Sequence, residues 1–348
     1  MTFTGLSCPL PLTTTDHVLL GHGSGGKLSA ELVHDIFLPA FRNPILAELN
    51  DQAVLSINGS RLAFTTDSFV VKPLFFRGGD IGSLAVHGAI NDLAMGGAKP
   101  LFLGAAFIIE EGLPMETLRK VAASLGRAAT ACGVQVVTGD TKVVEKGSGD
   151  GLFINTSGLG LVYPGVSPSA SQARPNDVVI LSGYVGDHGI AIMAEREGVE
   201  FDTPVASDSA PLHTLVASML NVSCEIRCMR DPTRGGLSSS LNEIAQQSHV
   251  GISIEEAAIP IREEVRGACE MLGLDPLYVA NEGKMIAIVD PSVADDLVAA
   301  MQRHPVGREA RRIGVVTQAN PGWVTMRTPF GTTRVVDMLP GDQLPRIC

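Results

Sequence analysis

Residues 50–71 read NDQAVLSINGSRLAFTTDSFVV, two apolar runs on either side of Asn58-Gly59. Asn-Gly is a strong signal for a hairpin, because both residues tolerate the positive φ that a two-residue turn needs. The pattern predicts antiparallel strands over 53–57 and 62–66. Asp51 and Asp67 then flank the outer ends of this hairpin, so two carboxylates lie on the same side of a sheet.

Strands and helices alternate through the rest of the chain. The patterns predict a helix over 81–94 with Asp80 as its N-cap, a helix over 114–132, a polar turn over 139–142 and strands over 101–109, 134–138 and 152–162. Residues 164–175 are rich in Pro, Ser, Ala and Gly, which indicates a linker. Strand and helix alternation then restarts.

The fold class is therefore α/β (α+β) with two domains, over residues 1–165 and 174–336. Residues 337–348, DMLPGDQLPRIC, contain Pro340 and Pro345 and have no sustained periodicity. Proline does not fit a helix interior, so we expect a flexible tail. Ten extended residues reach roughly 33 Å, enough to carry Cys348 into a cleft and out again.

Composition excludes several classes of function. The chain has 348 residues, 45% of them hydrophobic, and a net charge of -11. This charge repels a phosphate backbone, so nucleic acid is not an expected partner. No apolar run approaches the roughly 20 residues that span a bilayer, and no basic residue precedes the apolar N-terminal stretch, so we expect a cytoplasmic protein without a membrane anchor. The six cysteines include no C-x-x-C pair, which predicts reduced thiols.

A glycine-rich stretch, GHGSGGK over residues 21–27, nearly matches the phosphate-binding pattern G-x-x-x-x-G-K-[ST]. The match fails after Lys27, because Leu28 has no oxygen to offer Mg²⁺ where the pattern requires Ser or Thr. A plain flexible linker is one alternative. The interpretation that fits best is a mobile loop whose backbone N–H groups and Lys27 close over phosphate oxygens.

Asp51, Asp67, Asp92 and Asp231 all lie at predicted strand or helix ends. Each alone is more often a turn or cap residue than a ligand. Asp92 lies at a helix C-terminus, where its charge opposes the macrodipole and is better explained by a bound cation. Because carboxylates are the ligands that Mg²⁺ prefers, these four aspartates together predict a magnesium site.

Several motifs carry a resemblance to a known family. NDQAV (50–54), TTDSFVV (65–71), NDLAMGG (91–97), TGDTKV (138–143) and DPTRGGL (231–237) resemble the ATP-binding family of aminoimidazole ribonucleotide synthetase and selenophosphate synthetase. With NEGK (281–284) and the terminal PRIC (345–348), the chain is most similar to the carbamoyl dehydratases of [NiFe]-hydrogenase maturation. Selenophosphate synthetases carry a cysteine or selenocysteine in their glycine-rich N-terminal loop. The corresponding loop here, residues 21–27, has none, which argues against selenium chemistry.

The resemblance implies a homodimer in which the N-terminal domains share a β-barrel. It implies that Cys348 carries an S-carboxamide, which ATP-dependent dehydration converts to a thiocyanate that supplies cyanide for the hydrogenase iron. Glu282 and Lys142 are its implied proton-transfer residues, and a HypF-like carbamoyltransferase and a HypC–HypD complex are its implied partners. ATP and Mg²⁺ are its implied cofactors, with the metal held by Asp51, Asp67, Asp92 and Asp231. The nucleotide is assigned to these four aspartates together with Lys27, Asn91, Gly139, Asp140 and Thr141.

Two other functions stay open at this point. One is another ATP-dependent, amide-activating enzyme of the same family, such as a cyclo-ligase acting on a free substrate. The other is a non-catalytic adaptor whose tail is a docking peptide. The first predicts turnover without Cys348, and the second predicts no ATP consumption.

Overall fold

The computed structural model describes residues 17–198, 204–339, 341, 344 and 346–348. Residues 1–16, Pro340 and Pro345, on which part of the expectations fall, lie outside the described residues. A five-stranded sheet in the order β1-β2-β7-β5-β6 organises the first part of the chain. Its elements are α1 (Lys27–Leu32), α2 (Leu38–Phe41), β1 (Ala53–Ile57), β2 (Ser60–Phe69), β3 (Phe75–Phe76), β4 (Gly79–Asp80), α3 (Ile81–Met95), β5 (Ala98–Glu110), α4 (Met115–Ala131), β6 (Gln135–Val144) and β7 (Leu152–Val162).

The predicted hairpin is confirmed as β1 and β2. Ile57 pairs with Ser60, and the turn residues Asn58 and Gly59 have φ values of 50° and 81°. Both residues lie in the left-handed region that such a turn requires. β2 is longer than predicted and includes Asp67.

Helix α3 covers one face of this sheet. Its N-cap is Asp80, as predicted, and the Asp80 carboxylate accepts hydrogen bonds from the backbone N–H groups of Gly82 and Ser83. The helix approaches the sheet closely at Gly88, where a Cβ atom would lie 2.7 Å from the Phe69 ring. The small residues of α3 therefore bring its last turn, which carries Asp92, close to the end of β2.

A seven-stranded sheet in the order β14-β13-β10-β12-β8-β11-β9 organises the second part of the chain. Its elements are β8 (Val178–Leu181), α5 (Asp187–Glu197), α6 (His213–Leu220), β9 (Ile226–Arg230), α7 (Gly236–Gln247), β10 (Gly251–Glu255), α8 (Glu263–Leu272), β11 (Ile286–Val289), α9 (Ala294–Arg303), β12 (Arg311–Thr317), β13 (Val324–Arg327) and β14 (Thr333–Val336). Buried side chains of α7 pack on one face, and those of α6 and α9 pack on the other.

The face of the first sheet opposite α3 is open. Phe64, Phe102 and Leu161 on this open face are 44%, 41% and 43% exposed. Neighbouring residues of a strand alternate between the faces, so the same strands bury Ala63, Leu103 and Val162 on the helix side. The sheet does not close into a barrel within one chain.

One local prediction is wrong. Residues 139–142, predicted as a turn, lie inside β6, which pairs in parallel with β5. As an edge strand exposed on both sides, β6 needs no apolar alternation, so its polar residues gave a misleading turn signal. A π-helical segment over Val33–Phe37 joins α1 to α2. None of the described helices has the length and apolar character needed to cross a membrane.

Candidate functional site

Five carboxylates from both parts of the chain form one group, here called the acid cluster: Asp51, Asp67, Asp92, Asp231 and Glu282. The pKa values of Asp51, Asp92, Asp231 and Glu282 are each raised by the charge of at least one other member, and Asp67 acts on all four. Asp51 and Asp67 come from the β1–β2 hairpin, and Asp92 comes from the last turn of α3. Asp231 follows β9, and Glu282 precedes β11. The structure thus brings together the four predicted metal ligands and Glu282, one of the two predicted proton-transfer residues.

Burial shifts every member of the acid cluster towards its protonated form. Burial raises the pKa of Asp51 to about 6, partly countered by the Arg230 guanidinium. Burial also raises the pKa of Asp67, and Arg234 counters that shift. The pKa values of Asp92 and Asp231 lie well above their ordinary range, again through burial first and then through repulsion by neighbouring carboxylates. This site therefore favours the binding of a cation.

Among the described residues, Asp51 is the one member of the acid cluster that forms an ion pair. Asp51 lies 3.3 Å from Arg230, which also pairs with Glu243. Asp92 accepts a hydrogen bond of 2.6 Å from the Thr65 hydroxyl. When ionised, Asp67, Asp92 and Asp231 therefore present negative charge that a bound cation would offset.

Glu282 is the most deeply enclosed acid of the site, with 3% of its surface exposed. Within the described residues its Oε1 atom has no hydrogen-bond partner. Its backbone is fixed on both sides: its N–H donates to Asp208 Oδ1 at 3.0 Å, and its carbonyl accepts from Asn91 Nδ2 at 3.2 Å. Burial, followed by repulsion from Asp231, raises the pKa of Glu282 well above its ordinary value. A carboxyl held in this way is suited to accepting or donating a proton.

The end of the tail is docked in this site. Cys348 is 7% exposed and belongs to the same apolar cluster as Phe69 and Ile154. Its main-chain oxygen accepts from the N–H of Val70 at 2.9 Å, and the carbonyl of Arg346 accepts from the N–H of Lys72 at 3.3 Å. The described end of the tail therefore extends along the chain that leaves β2.

Burial raises the pKa of the Cys348 thiol to about 12, and the Arg234 guanidinium opposes this shift. Glu282, Asp67 and Asp231 reinforce it, so the sulfur lies within the electrostatic reach of the acid cluster. In its thiolate form, Cys348 would in turn be the main cause that raises the pKa of Arg234. The docked cysteine is a neutral thiol beside a carboxyl group and a guanidinium.

Other predicted residues lie elsewhere. Lys27 forms an ion pair with Asp337 at 2.6 Å, and its N–H donates to the carbonyl of Leu339. Lys142 is 70% exposed and pairs with Asp140 at 2.8 Å. These pairs do not involve the acid cluster.

The sheet itself separates Lys142 from that cluster. Thr141 pairs with Phe107, which packs against the helix-side core, so the neighbouring Lys142 and Asp140 project to the open face. Across the sheet, Phe69 of β2 pairs with Ile154 of β7, Ile154 pairs with Phe107 of β5, and Phe107 pairs with Thr141 of β6. Three strand spacings of about 4.8 Å thus place β6 roughly 14 Å from the end of β2.

The residues fit a magnesium ion that arrives with phosphate. Within the described part of the chain, no three acidic, histidine or cysteine side chains form a ready-made metal site. Mg²⁺ typically takes only one or two carboxylates, and phosphate oxygens and waters complete its octahedron. The uncompensated acid cluster and the unpartnered Oε1 of Glu282 are suited to this kind of shared coordination.

A cleft of about 410 Å³ adjoins the site and is lined by Gly25, Gly26, Ser29, Arg230 and Glu243, among others. A volume of this size lies in the range of small-molecule sites. Gly25 has a φ of 77°, and a Cβ atom there would lie 2.7 Å from the Arg234 carbonyl. The glycine loop therefore packs directly against the DPTRGG turn that carries Asp231.

Sequence reasoning assigned no role to three residues that the structure places here. Arg234 lies beside Cys348, Asp208 holds the backbone of Glu282, and His188 Nε2 lies 2.9 Å from the Ile347 carbonyl. Arg234 was visible within the DPTRGGL motif. Asp208 and His188 lie in segments without a recognisable motif, so only the fold reveals them.

Comparisons with known proteins identify the relatives of this chain. The family described as AIR synthase related protein matches through its N-terminal domain over residues 49–162 and its C-terminal domain over 174–325. A curated relative, "Carbamoyl dehydratase HypE" of Cupriavidus necator, is 56% identical over 330 residues, or 94% of both chains.

Two solved structures are similar over most of their length. The chain in the crystal structure of a HypE–HypF complex is 48% identical with a TM-score of 0.85, covering 88% of this chain and 99% of that one. The hydrogenase maturation protein HypE in complex with ATP is 49% identical with a TM-score of 0.81, covering 95% and 100%.

Proposed function

Because this chain belongs to the HypE carbamoyl dehydratases of the AIR synthase-related family, we propose that it dehydrates an S-carboxamide carried on its own Cys348. The product is a thiocyanate, the source of cyanide for the iron of a [NiFe]-hydrogenase. The observation that most supports this proposal is that the Cys348 thiol is buried within the electrostatic reach of Glu282. The Oε1 atom of Glu282 has no hydrogen-bond partner among the described residues. Substrate sulfur and proton acceptor share one enclosed site.

The chemistry requires ATP because an amide oxygen is a poor leaving group. The γ-phosphoryl group transfers to the carboxamide oxygen, and the C–O bond then breaks with phosphate as the leaving group. Nitrogen loses both its protons as the C≡N bond forms. The balance is R–S–CO–NH₂ + ATP → R–S–CN + ADP + phosphate.

Glu282 accepts a proton from the nitrogen, for which it must be ionised. Its raised pKa makes it a stronger base than an ordinary carboxylate, and the arrangement of Asp208 and Asn91 fixes its backbone. Arg234 stabilises negative charge that develops near the sulfur. Burial of Cys348 excludes water, which would otherwise compete for the activated carboxamide.

ATP and Mg²⁺ are assigned to the acid cluster and the adjoining glycine-lined cleft. One or two of Asp51, Asp67, Asp92 and Asp231 would coordinate the metal directly, the others would complete its negatively charged surroundings, and Asn91 supports the loop of Glu282 beside them. When bound, Mg²⁺ neutralises phosphate charge and lowers the barrier to phosphoryl transfer. Lys27 joins the nucleotide by exchanging Asp337 for phosphate oxygens.

A second copy completes the site. The open face of the first sheet carries exposed Phe64, Phe102 and Leu161, which a partner's open face covers, closing a shared barrel. Gly139, Asp140, Thr141 and Lys142 lie on the exposed edge strand β6, so we assign their roles to the site of the other copy. Lys142 then acts across the dimer.

The tail leaves its dock to exchange its cargo. A HypF-like carbamoyltransferase loads Cys348, in keeping with the HypE–HypF complex of a close relative, and a HypC–HypD complex receives the cyanide. The cysteines among the described residues are all free thiols. Reduced thiols and ATP consumption both suit the cytoplasm.

The decisive experiment is a mass measurement on protein whose Cys348 has been carbamoylated with cyanate. Addition of Mg-ATP is expected to remove one water from the C-terminal peptide while one ATP is consumed. Glu282→Gln is the matched control, since it is isosteric and loads equally but retains the carboxamide. Turnover of a free substrate by Cys348→Ala would favour the cyclo-ligase alternative. An unchanged mass with intact ATP would favour the adaptor.

A further inference from the structure

His188, at the start of α5, contacts the docked tail without any part in the chemistry proposed above. It is fully buried, and its ring packs edge-on against Phe76 at 5.7 Å. Its Nε2 atom lies 2.9 Å from the carbonyl oxygen of Ile347, the residue before Cys348. Because a carbonyl only accepts, Nε2 must carry the proton of this bond.

Ser207 sets the tautomer of this ring. His188 Nδ1 lies 2.8 Å from the Ser207 hydroxyl, and in the neutral ring Nδ1 accepts that hydroxyl proton. Burial lowers the pKa of His188, so the ring is neutral. The Ser207 oxygen in turn accepts from the N–H of Ser209 at 3.1 Å, which fixes the direction of the whole chain of bonds.

The segment 207–210 also contacts the other catalytic parts of the site. Asp208 accepts from the N–H of Glu282 at 3.0 Å and from Lys284 Nζ at 2.9 Å. The carbonyl of Ala210 accepts from Asn91 Nδ2 at 3.1 Å. One short segment therefore joins the residue that holds the tail to the residue that holds Glu282.

We propose that His188, oriented by Ser207, is the positioning residue that receives the tail through the Ile347 carbonyl and sets Cys348 in register with Glu282. A main-chain acceptor makes this recognition independent of the cargo on the sulfur, so the free and the carbamoylated tail dock in the same way. The inference rests on the proposed function for its catalytic meaning, whereas docking itself is measurable without ATP.

The test compares two polar variants of His188. His188→Gln keeps an N–H donor at the position of Nε2, and His188→Asn keeps a polar group only at the position of Nδ1. The rate at which a small thiol reagent modifies Cys348 is read from the mass of the C-terminal peptide. The exposed Cys224 in the same sample is the internal reference.

We expect His188→Asn to raise the rate for Cys348 about fivefold, the equivalent of one lost hydrogen bond of about 1 kcal/mol. His188→Gln should stay near the wild-type rate, and Cys224 should react equally in every variant. In single turnover of the carbamoylated protein, His188→Asn should slow dehydration without changing the half-saturating ATP concentration. A wild-type Cys348 rate in His188→Asn, or equal increases in both variants, would overturn the proposal.

Ser207→Ala keeps the test decisive if His188→Asn does not fold. This change removes the donor to Nδ1, so it should also raise the Cys348 rate, and an unchanged rate would count against the proposal. Failure of the proposed function looks different: the carbamoylated wild-type protein would lose no water with Mg-ATP, while the modification rates would still decide the role of His188.

Discussion

Lys142 should act on the site of the other copy, and a mixed dimer tests this. Lys142→Ala and Glu282→Gln chains, carrying different affinity tags, are produced together and the heterodimer is isolated. Each homodimer should lose about 10²–10⁴ in the dehydration rate, the usual contribution of one proton-transfer group. In the heterodimer one of the two sites combines an intact Glu282 with the partner's intact Lys142, so we expect about half of the wild-type rate.

We expect Lys142 to act across the dimer because it lies on the open face, roughly 14 Å across three strand spacings from the end of β2. A lysine side chain cannot reach Cys348 around the sheet from there. The measurement is loss of water from the carbamoylated C-terminal peptide of the purified heterodimer. A heterodimer as inactive as both homodimers would refute action across the dimer, and full activity of the Lys142→Ala homodimer would refute any catalytic role.

Three further outcomes are expected. The raised pKa of Asp92 means that the folded chain binds a proton there more tightly than the unfolded chain does. The stability that this proton contributes is fully present at low pH, and it is lost as the pH rises above 3.8 and through the pKa of the folded state. Asp92→Asn should therefore raise the melting temperature of the ligand-free protein at pH 8 by about 2 °C or more and abolish the further rise given by Mg-ATP, and calorimetry showing a lower value would contradict this. The pKa of about 12 for docked Cys348, against an ordinary 9.0, leaves about a thousandfold less thiolate at pH 8, so alkylation followed against pH should proceed mainly through undocked tails. A thiol that reacts at the ordinary rate would argue against the docked state. Asp80→Ala removes the N-cap of α3 and should cost about 1 kcal/mol in urea unfolding, whereas an unchanged midpoint would show that the cap contributes nothing.

The sequence predicted those parts of the site that local chemistry determines. Asn58-Gly59 fixed the hairpin and with it Asp51 and Asp67, and the Asp80 cap fixed the start of the helix that ends at Asp92. These are short-range effects, in which a few neighbouring residues decide the backbone.

Long-range contacts were beyond the reach of the sequence. The sequence neighbours of Asp208 and His188 do not predict their contacts with Glu282 and Ile347, because those partners lie 74 and 159 residues away along the chain. The tail was predicted as flexible from its prolines, yet the described end of it is docked, since its carbonyl groups find N–H partners along residues 70–72. Such pairing depends on the assembled fold.

Because the end of the tail is buried, only a small fraction of the molecules expose Cys348 at any time. Ile347 and Cys348 are part of the core that contains Phe69, and re-exposing a side chain such as Ile costs about 2 kcal/mol. At equilibrium about 3% of molecules would then hold the cysteine outside, so a loading enzyme that selects this form binds roughly 30-fold more weakly than its intrinsic affinity allows. Any transferase that modifies Cys348 competes with the interior of the chain for it.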